Sequence, residues 1–166
     1  SDPMHNLTTA WRNVIQCGYR RPGLVLPEFL LRSSWHACFL AEQTTLPAAD
    51  RVPVLGLQEP VPERAAVFER WLRMKRPDVV ICCDSRLPSL ARKAGLRVPQ
   101  DVGFVHMHLA EDVEGWAGID QRDGEIGAVA VGLVSSLLIR NERGVVPVPR
   151  RSLVPGVWRD GRTVKR

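Results

Sequence analysis

The chain predicts an α/β fold, with a mostly parallel sheet and helices on both of its faces. Three observations predict it. Short apolar runs alternate with amphipathic stretches along the chain, the order that winds strands and helices into a parallel sheet. The runs at 23–26 and 79–83 are short and apolar throughout, as strands covered from both sides must be. Residues 76–108 read as strand, helix, strand, with Asp84, Ser85, His106 and His108 at the strands' C-terminal ends. Ligands of open α/β sheets bind at those ends.

Length and composition bound the rest. With 166 residues the chain makes one domain, or one and a piece of a second. A hydrophobic content of 45% beside 25% charged residues is that of a globular protein with a real core, which excludes a disordered chain. No apolar run approaches the ~20 residues a membrane helix needs, and residues 1–6 have neither the basic nor the apolar part of a secretory signal. Net charge is +5, and six of the basic residues fall within 150–166. An electrostatic nucleic-acid surface is one reading of that excess. A solvated tail is the favoured one, because no helix carries a basic face interleaved with aromatics. Cys17, Cys38, Cys82 and Cys83 show no CxxC spacing, so they are read as reduced thiols of a cytoplasmic protein.

The elements follow in order. Leu7, Ala10, Trp11, Val14 and Ile15 recur at helical spacing, with Asn6 as N-cap and Gly18 as the stop. A strand over 23–26 and a loop over 27–31 lead to a second helix, with Trp35, Cys38 and Phe39 on one face and Arg32 near its start. Residues 52–57 form a strand that Pro53 weakens or delays. Ala65, Phe68, Trp71 and Leu72 mark a helix over 63–75. After the strand at 79–83, Asp84-Ser85 signals a helix that closes on Gly95, and a strand over 102–107 follows. Residues 109–121 read as an acidic loop. The strongest helix covers 123–140, with Ile126, Val129, Ala130, Leu133, Val134, Leu137 and Leu138 forming a wide apolar stripe. Gly124, Gly127 and Gly132 cost that helix stability and suggest close packing against another element. The end is extended, with Asp160-Gly161 as a hairpin turn.

Chemistry is sparsely marked. GxGxxG, GxxxxGK[ST] and GxSxG are all absent, so dinucleotide, P-loop and serine-elbow chemistry have no anchor. Ser85 follows Asp84 at a helix start, where capping is its ordinary role. His106-x-His108 shares a strand face and lies near Cys83 and Asp84, but no third ligand has diagnostic metal spacing. No metal and no cofactor are expected. Glu111, Asp112 and Glu114 read as a solvated acidic loop, and Glu28 as a surface residue able to face the crevice. Trp35 fits core packing or ligand stacking equally. Trp116, between two glycines, is the better candidate for stacking on a ligand ring.

Four blocks in the right order carry a family resemblance. Residues 18–25, GYRRPGLV, are similar to GHRRIG(L/A)(I/V). Residues 77–84, PDVVICCD, are similar to PDAVVCAND. Residues 95–105, GLRVPQDVGFV, are similar to GLRVPEDVSVVG. Residues 117–121 and 126–130, AGIDQ and IGAVA, resemble the return into MGRLAVELLL. Together they resemble the effector-binding domain of lac/galactose-repressor transcription regulators, with its periplasmic-binding-protein-like fold. The resemblance implies two subdomains closing on a small-molecule effector, a sugar or another polar metabolite. It implies a homodimer, DNA binding through an N-terminal helix-turn-helix outside this chain, no membrane contact and no catalysis. Residues 4–120 correspond to the C-terminal subdomain, 121–144 to a crossover and the last helix of the other subdomain, and 145–166 to the return segment and tail. The apolar stripe of 123–140 is then orphaned, and it is expected to repack on a neighbouring surface or another chain. The resemblance places Arg32, Asp84, His108 and Gln121 at effector-binding positions. Asp84 stands where the family has Asn, and His108 where it has an acid. Those departures alter the sugar-hydroxyl clamp, which leaves two alternatives to a sugar: a polar or zwitterionic ligand, or loss of the ligand. The rival readings are a small α/β enzyme using Asp84 and His108, and a periplasmic solute-binding subdomain.

Overall fold

A computed structural model describes residues 1–58, 63–109, 115–144 and 148–165. The described elements are α1 (Pro3–Gln16), β1 (Pro22–Pro27), α2 (Ser34–Gln43), β2 (Leu55–Leu57), α3 (Arg64–Lys75), β3 (Val79–Cys82), α4 (Leu87–Lys93), β4 (Gly103–His106), β5 (Ala117–Asp120), α5 (Asp123–Ile139) and β6 (Val157–Arg159). They form one sheet in the order β2-β1-β3-β4-β5-β6. Pairing is parallel from β2 through β5, and β6 closes the edge antiparallel to β5.

Alternation along each strand feeds two cores. Leu24, Leu26, Ile81, Val105 and Ile119 face α1 and α2, meeting Leu7, Trp11, Val14 and Phe39. Val25, Val80, Cys82 and Phe104 face α3 and α4, meeting Phe68, Trp71, Leu72 and Leu87. Each fully buried Leu, Ile or Phe contributes about 1.5–3 kcal/mol by leaving water. The expected mostly parallel sheet with helices on both faces is therefore observed.

The blocks 18–25 and 77–84 meet because the ends of β1 and α3 are tied. Asp78 accepts from the backbone N–H groups of Arg20 at 2.7 Å and Arg21 at 2.9 Å. The Arg21 guanidinium donates to the carbonyls of Lys75 and Arg76, at 2.8 and 3.1 Å, satisfying the last turn of α3. Pro53 has no N–H to give, and β2 begins only at Leu55.

Several expectations are corrected. Asn6 does not cap α1. Asp2 does, accepting from the N–H of His5 at 3.0 Å, and Asn6 is buried one turn inside, holding the N–H of Gly156. Residues 28–30 are a short 3-10 helix rather than open loop. Residues 117–120, read as loop, are β5: four residues with two glycine-flanked apolar positions carry too little periodicity to announce a strand. Asp160-Gly161 is not a hairpin turn: the chain turns at Arg162-Thr163, and no further strand follows among the described residues. Thr163 instead slots between β4 and β5, its hydroxyl accepting from the N–H of Ala117 and donating to the carbonyl of Phe104. The glycines of α5 are not sites of close packing among the described residues, since a Cβ added at Gly124, Gly127 or Gly132 meets no atom of another element within 4 Å. No residue of α5 is buried, so the apolar stripe does not repack on this chain.

Candidate functional site

Parallel pairing brings the C-terminal ends of β1 to β5 to one edge. From β1 the chain moves outward to β2, then returns to place β3 on the other side of β1. The crossovers therefore diverge between β1 and β3, and that divergence opens a crevice at the strand ends. The crevice has a volume of about 290 Å³ and is lined by Leu26, Pro27, Arg64, Cys83, Asp84 and Arg86 among others.

Asp84 is its centre. It leaves the end of β3 and folds into a turn, accepting from the backbone N–H of Arg86 at 3.0 Å. The turn delays α4 to Leu87, so Ser85 caps no helix and simply lines the crevice. Asp84 Oδ1 also accepts from Arg86 Nε at 2.9 Å, and Oδ2 accepts from Arg86 Nη2 at 3.3 Å and from Arg64. Arg64 is the first residue of α3, and its side chain is 13% exposed beside an Asp84 side chain at 15%. Burial alone pushes the Asp84 carboxyl up. The hydrogen bonds from Arg86 and the charges of Arg64 and Arg86 outweigh it, holding the carboxyl below its ordinary 3.8. At Cys83 burial is not outweighed: the thiol is pushed up to about 12, with the charge of Asp84 adding to the shift.

A second groove of about 370 Å³ adjoins the first across Arg64, lined by Glu28, Leu31, Leu57, Glu63 and Val67. Phe29 stands 81% exposed at its rim.

The other expected site residues divide. Arg32 is exposed in the turn before α2, on the strand-end side of β1. His108, two residues beyond β4, has its Nε2 2.8 Å from Asp123 Oδ2, linking the sheet edge to the first residue of α5. Gln121 is buried and donates to the carbonyl of Met107 at 2.8 Å, bracing β5 against the end of β4. Trp116 lies at the N-terminal end of β5, packed edge-to-face on Phe104 and His106 with ring centroids 6.3 and 5.2 Å apart. It is a packing residue here and is not among those lining the crevice. Trp35 packs against the core under α1 and α2.

The two histidines do not converge. His106 is buried with Nδ1 2.6 Å from the backbone carbonyl of His108, and no cluster of three metal-ligating side chains occurs among the described residues. Glu111, Asp112 and Glu114 lie outside the described residues. Sequence reasoning missed Arg64 and Arg86. Arg86 follows Asp84 by two, a spacing that fits an Asx turn, but only the sheet topology brings Arg64 to the same carboxylate. No helix among the described residues is long and apolar enough to cross a membrane.

No family model matches the chain, and no curated protein does. Solved structures do. A LacI-family transcriptional regulator from Rhizobium etli aligns with a TM-score of 0.74 at 18% identity, over 99% of this chain and 64% of that one. A LacI-family transcriptional regulator from Enterococcus faecium, solved with bound ribose, gives 0.71 at 14% identity, over 99% and 63%. The lac repressor dimer bound to operator and the anti-inducer ONPF gives 0.75 at 13% identity, over 99% and 52%. The chain spans less than two thirds of the length of these structures. Its fold is thus that found in the effector-binding domain of LacI-family transcription regulators.

Proposed function

We propose that the chain is the ligand-sensing part of a transcription regulator, without catalytic activity of its own. One observation carries the reading. The fold is shared over 99% of the chain with such regulators, and a dense polar cluster, Arg64-Asp84-Arg86, lines the crevice at the sheet's switch point, the kind of position at which open α/β sheets bind ligands. Residues 4–120 and the returning tail 145–166 form one side of an effector cleft. Residues 121–144 are the crossover and a helix that belongs to the opposite subdomain, which agrees with α5 burying none of its side chains here. The effector is a small polar metabolite. Arg32, Asp84 and its arginines face it, His108 borders it, and Gln121 supports the strand ends behind it.

The mechanism is a population shift. Effector bound between two subdomains favours the closed arrangement by its differential affinity, and closure alters the spacing of paired DNA-binding heads. The protein works in the cytoplasm as a homodimer and reaches DNA through a domain outside this chain. The test is a mobility-shift assay on the full-length protein with DNA selected from a random pool. The expected result is a sequence-selective complex whose stability changes with one class of metabolite. Absence of any selective DNA binding overturns the reading.

A further inference from the structure

We propose that the pocket between the C-terminal ends of α3 and α4 docks an acidic segment of a partner protein, an apolar side chain flanked by carboxylates. The site goes beyond the sensing function, because it opens at the N-terminal ends of β3 and β4, across the sheet from the effector crevice. Its volume is about 490 Å³. Leu72, Pro77, Ala94, Leu96 and Val102 give it carbon walls, the surroundings an apolar anchor of a partner needs. The carboxylates that line it are already occupied. Asp78 spends both oxygens on the backbone N–H groups of Arg20 and Arg21. Asp101 takes the backbone N–H, Nε and Nη2 of Arg97 at 2.7, 2.9 and 2.7 Å. The Arg76 guanidinium at the rim, by contrast, has no hydrogen-bond or ion-pair partner among the described residues.

The charge extends past the rim. Residues 69–78 and 92–101 hold seven cations against three carboxylates, an excess of four. The third carboxylate, Glu69, accepts both N–H bonds of Arg73 on one oxygen. Arg92 and Lys93, in the last turn of α4, are exposed and, like Arg76, have no side-chain partner among the described residues. Basic residues at helix ends ordinarily complement the helix dipole. At α3 that role is filled from outside, by Arg21 on the carbonyls of Lys75 and Arg76. Arg76 also holds the left-handed C-cap, φ 47°, where Gly is the usual residue. Its side chain serves neither the turn nor the helix end. Met74, 67% exposed in the last turn of α3, adds an adaptable apolar contact. An acidic segment satisfies carbon walls and unpaired cations together. A second copy meeting this face with its own would set like charges against each other. Nucleic acid matches the charge, but no aromatic side chain lines the pocket for a base to stack on.

The experiment is fluorescence anisotropy on the full-length protein with three sets of labelled peptides. The first set carries Leu, Phe or Met between two pairs of Glu. The second replaces each Glu with Gln, and the third replaces the apolar residue with Ser. At least one member of the first set is expected to bind at least about tenfold more tightly than its counterparts in the other two. That binding should weaken as salt is raised. Arg76→Gln with Arg92→Gln should reduce it about tenfold, while Arg150→Gln with Arg151→Gln in the tail should leave it unchanged. Ala94→Phe, which fills the pocket, should erase the advantage of the apolar residue over Ser with the thermal midpoint retained. If that variant does not fold, the Arg76 and Arg92 pair still decides. No advantage for the first set overturns the inference, and so does binding that is indifferent to the Arg76 and Arg92 substitutions or equally weakened by those in the tail. A non-operator DNA duplex that outbinds every peptide and is lost in the same double variant assigns the face to nucleic acid and also overturns it. Each of these results leaves the sensing function standing, because that reading fails only in the DNA-binding assay.

Discussion

At Asp84, burial and charge act in opposite directions. The side chain is 15% exposed, yet the carboxyl stays ionised because Arg86 and Arg64 bind the charged form. Its pKa is depressed in the fold, so the stabilisation is fully present above the ordinary carboxylate range and is lost as pH falls through the folded value, below 3.8. Asp84→Asn should therefore cost roughly 1.5–3 kcal/mol at neutral pH, the range for hydrogen bonds to charged groups. The difference between variant and parent should shrink as the pH is taken below the ordinary carboxylate range. Urea unfolding at neutral and acid pH measures it, and an equal loss at both would mean that the charge is not what Asp84 contributes. Asp84 was legible in the sequence because it ends an apolar run. Arg64 was not, because 20 residues separate it from its partner and only the return of the chain across β1 joins them.

Elements were legible in proportion to their periodicity. α1, α3 and the buried strands announce themselves through spacing, whereas β5 does not. Gly118 shows why β5 has so little side chain to read: a Cβ there would overlap the backbone carbonyl of His106 on β4. That overlap is with backbone and no rotamer relieves it. Gly118→Ala should therefore destabilise the chain by about 1–3 kcal/mol or more. Gly127→Ala in α5 should act with the opposite sign, gaining about 0.5–1 kcal/mol, because it meets open space and a helix interior favours Ala. Thermal denaturation of the two variants side by side checks the pair. The glycines of α5 look alike in sequence and differ from Gly118 only in what stands next to them, which a one-dimensional pattern does not contain.

For the whole molecule, α5 separates what this chain stabilises from what a longer protein would. Leu133 is exposed on α5 and Leu24 is fully buried on β1. In the 166-residue chain, Leu133→Ser should stay within about 0.5 kcal/mol of neutral, while Leu24→Ala should cost about 2–5 kcal/mol. In the full-length protein the Leu133 substitution should become costly if α5 is shared with a second subdomain, and denaturant titrations of both lengths decide it. The general architecture was readable because alternating strands and helices allow few right-handed parallel arrangements. The partner of α5 was not, since an apolar stripe states that something covers it without saying what. β6 carries one more consequence. It pairs with β5 only after the chain has run out along α5 and back, from Gln121 to Gly156. During synthesis at about 5–20 residues per second, the outer edge of β5 therefore waits some seconds for its neighbour. An unpaired edge is where nascent chains join one another. The returning tail thus sets the interval in which the newborn protein is most exposed to misassembly, and the moment at which that interval closes.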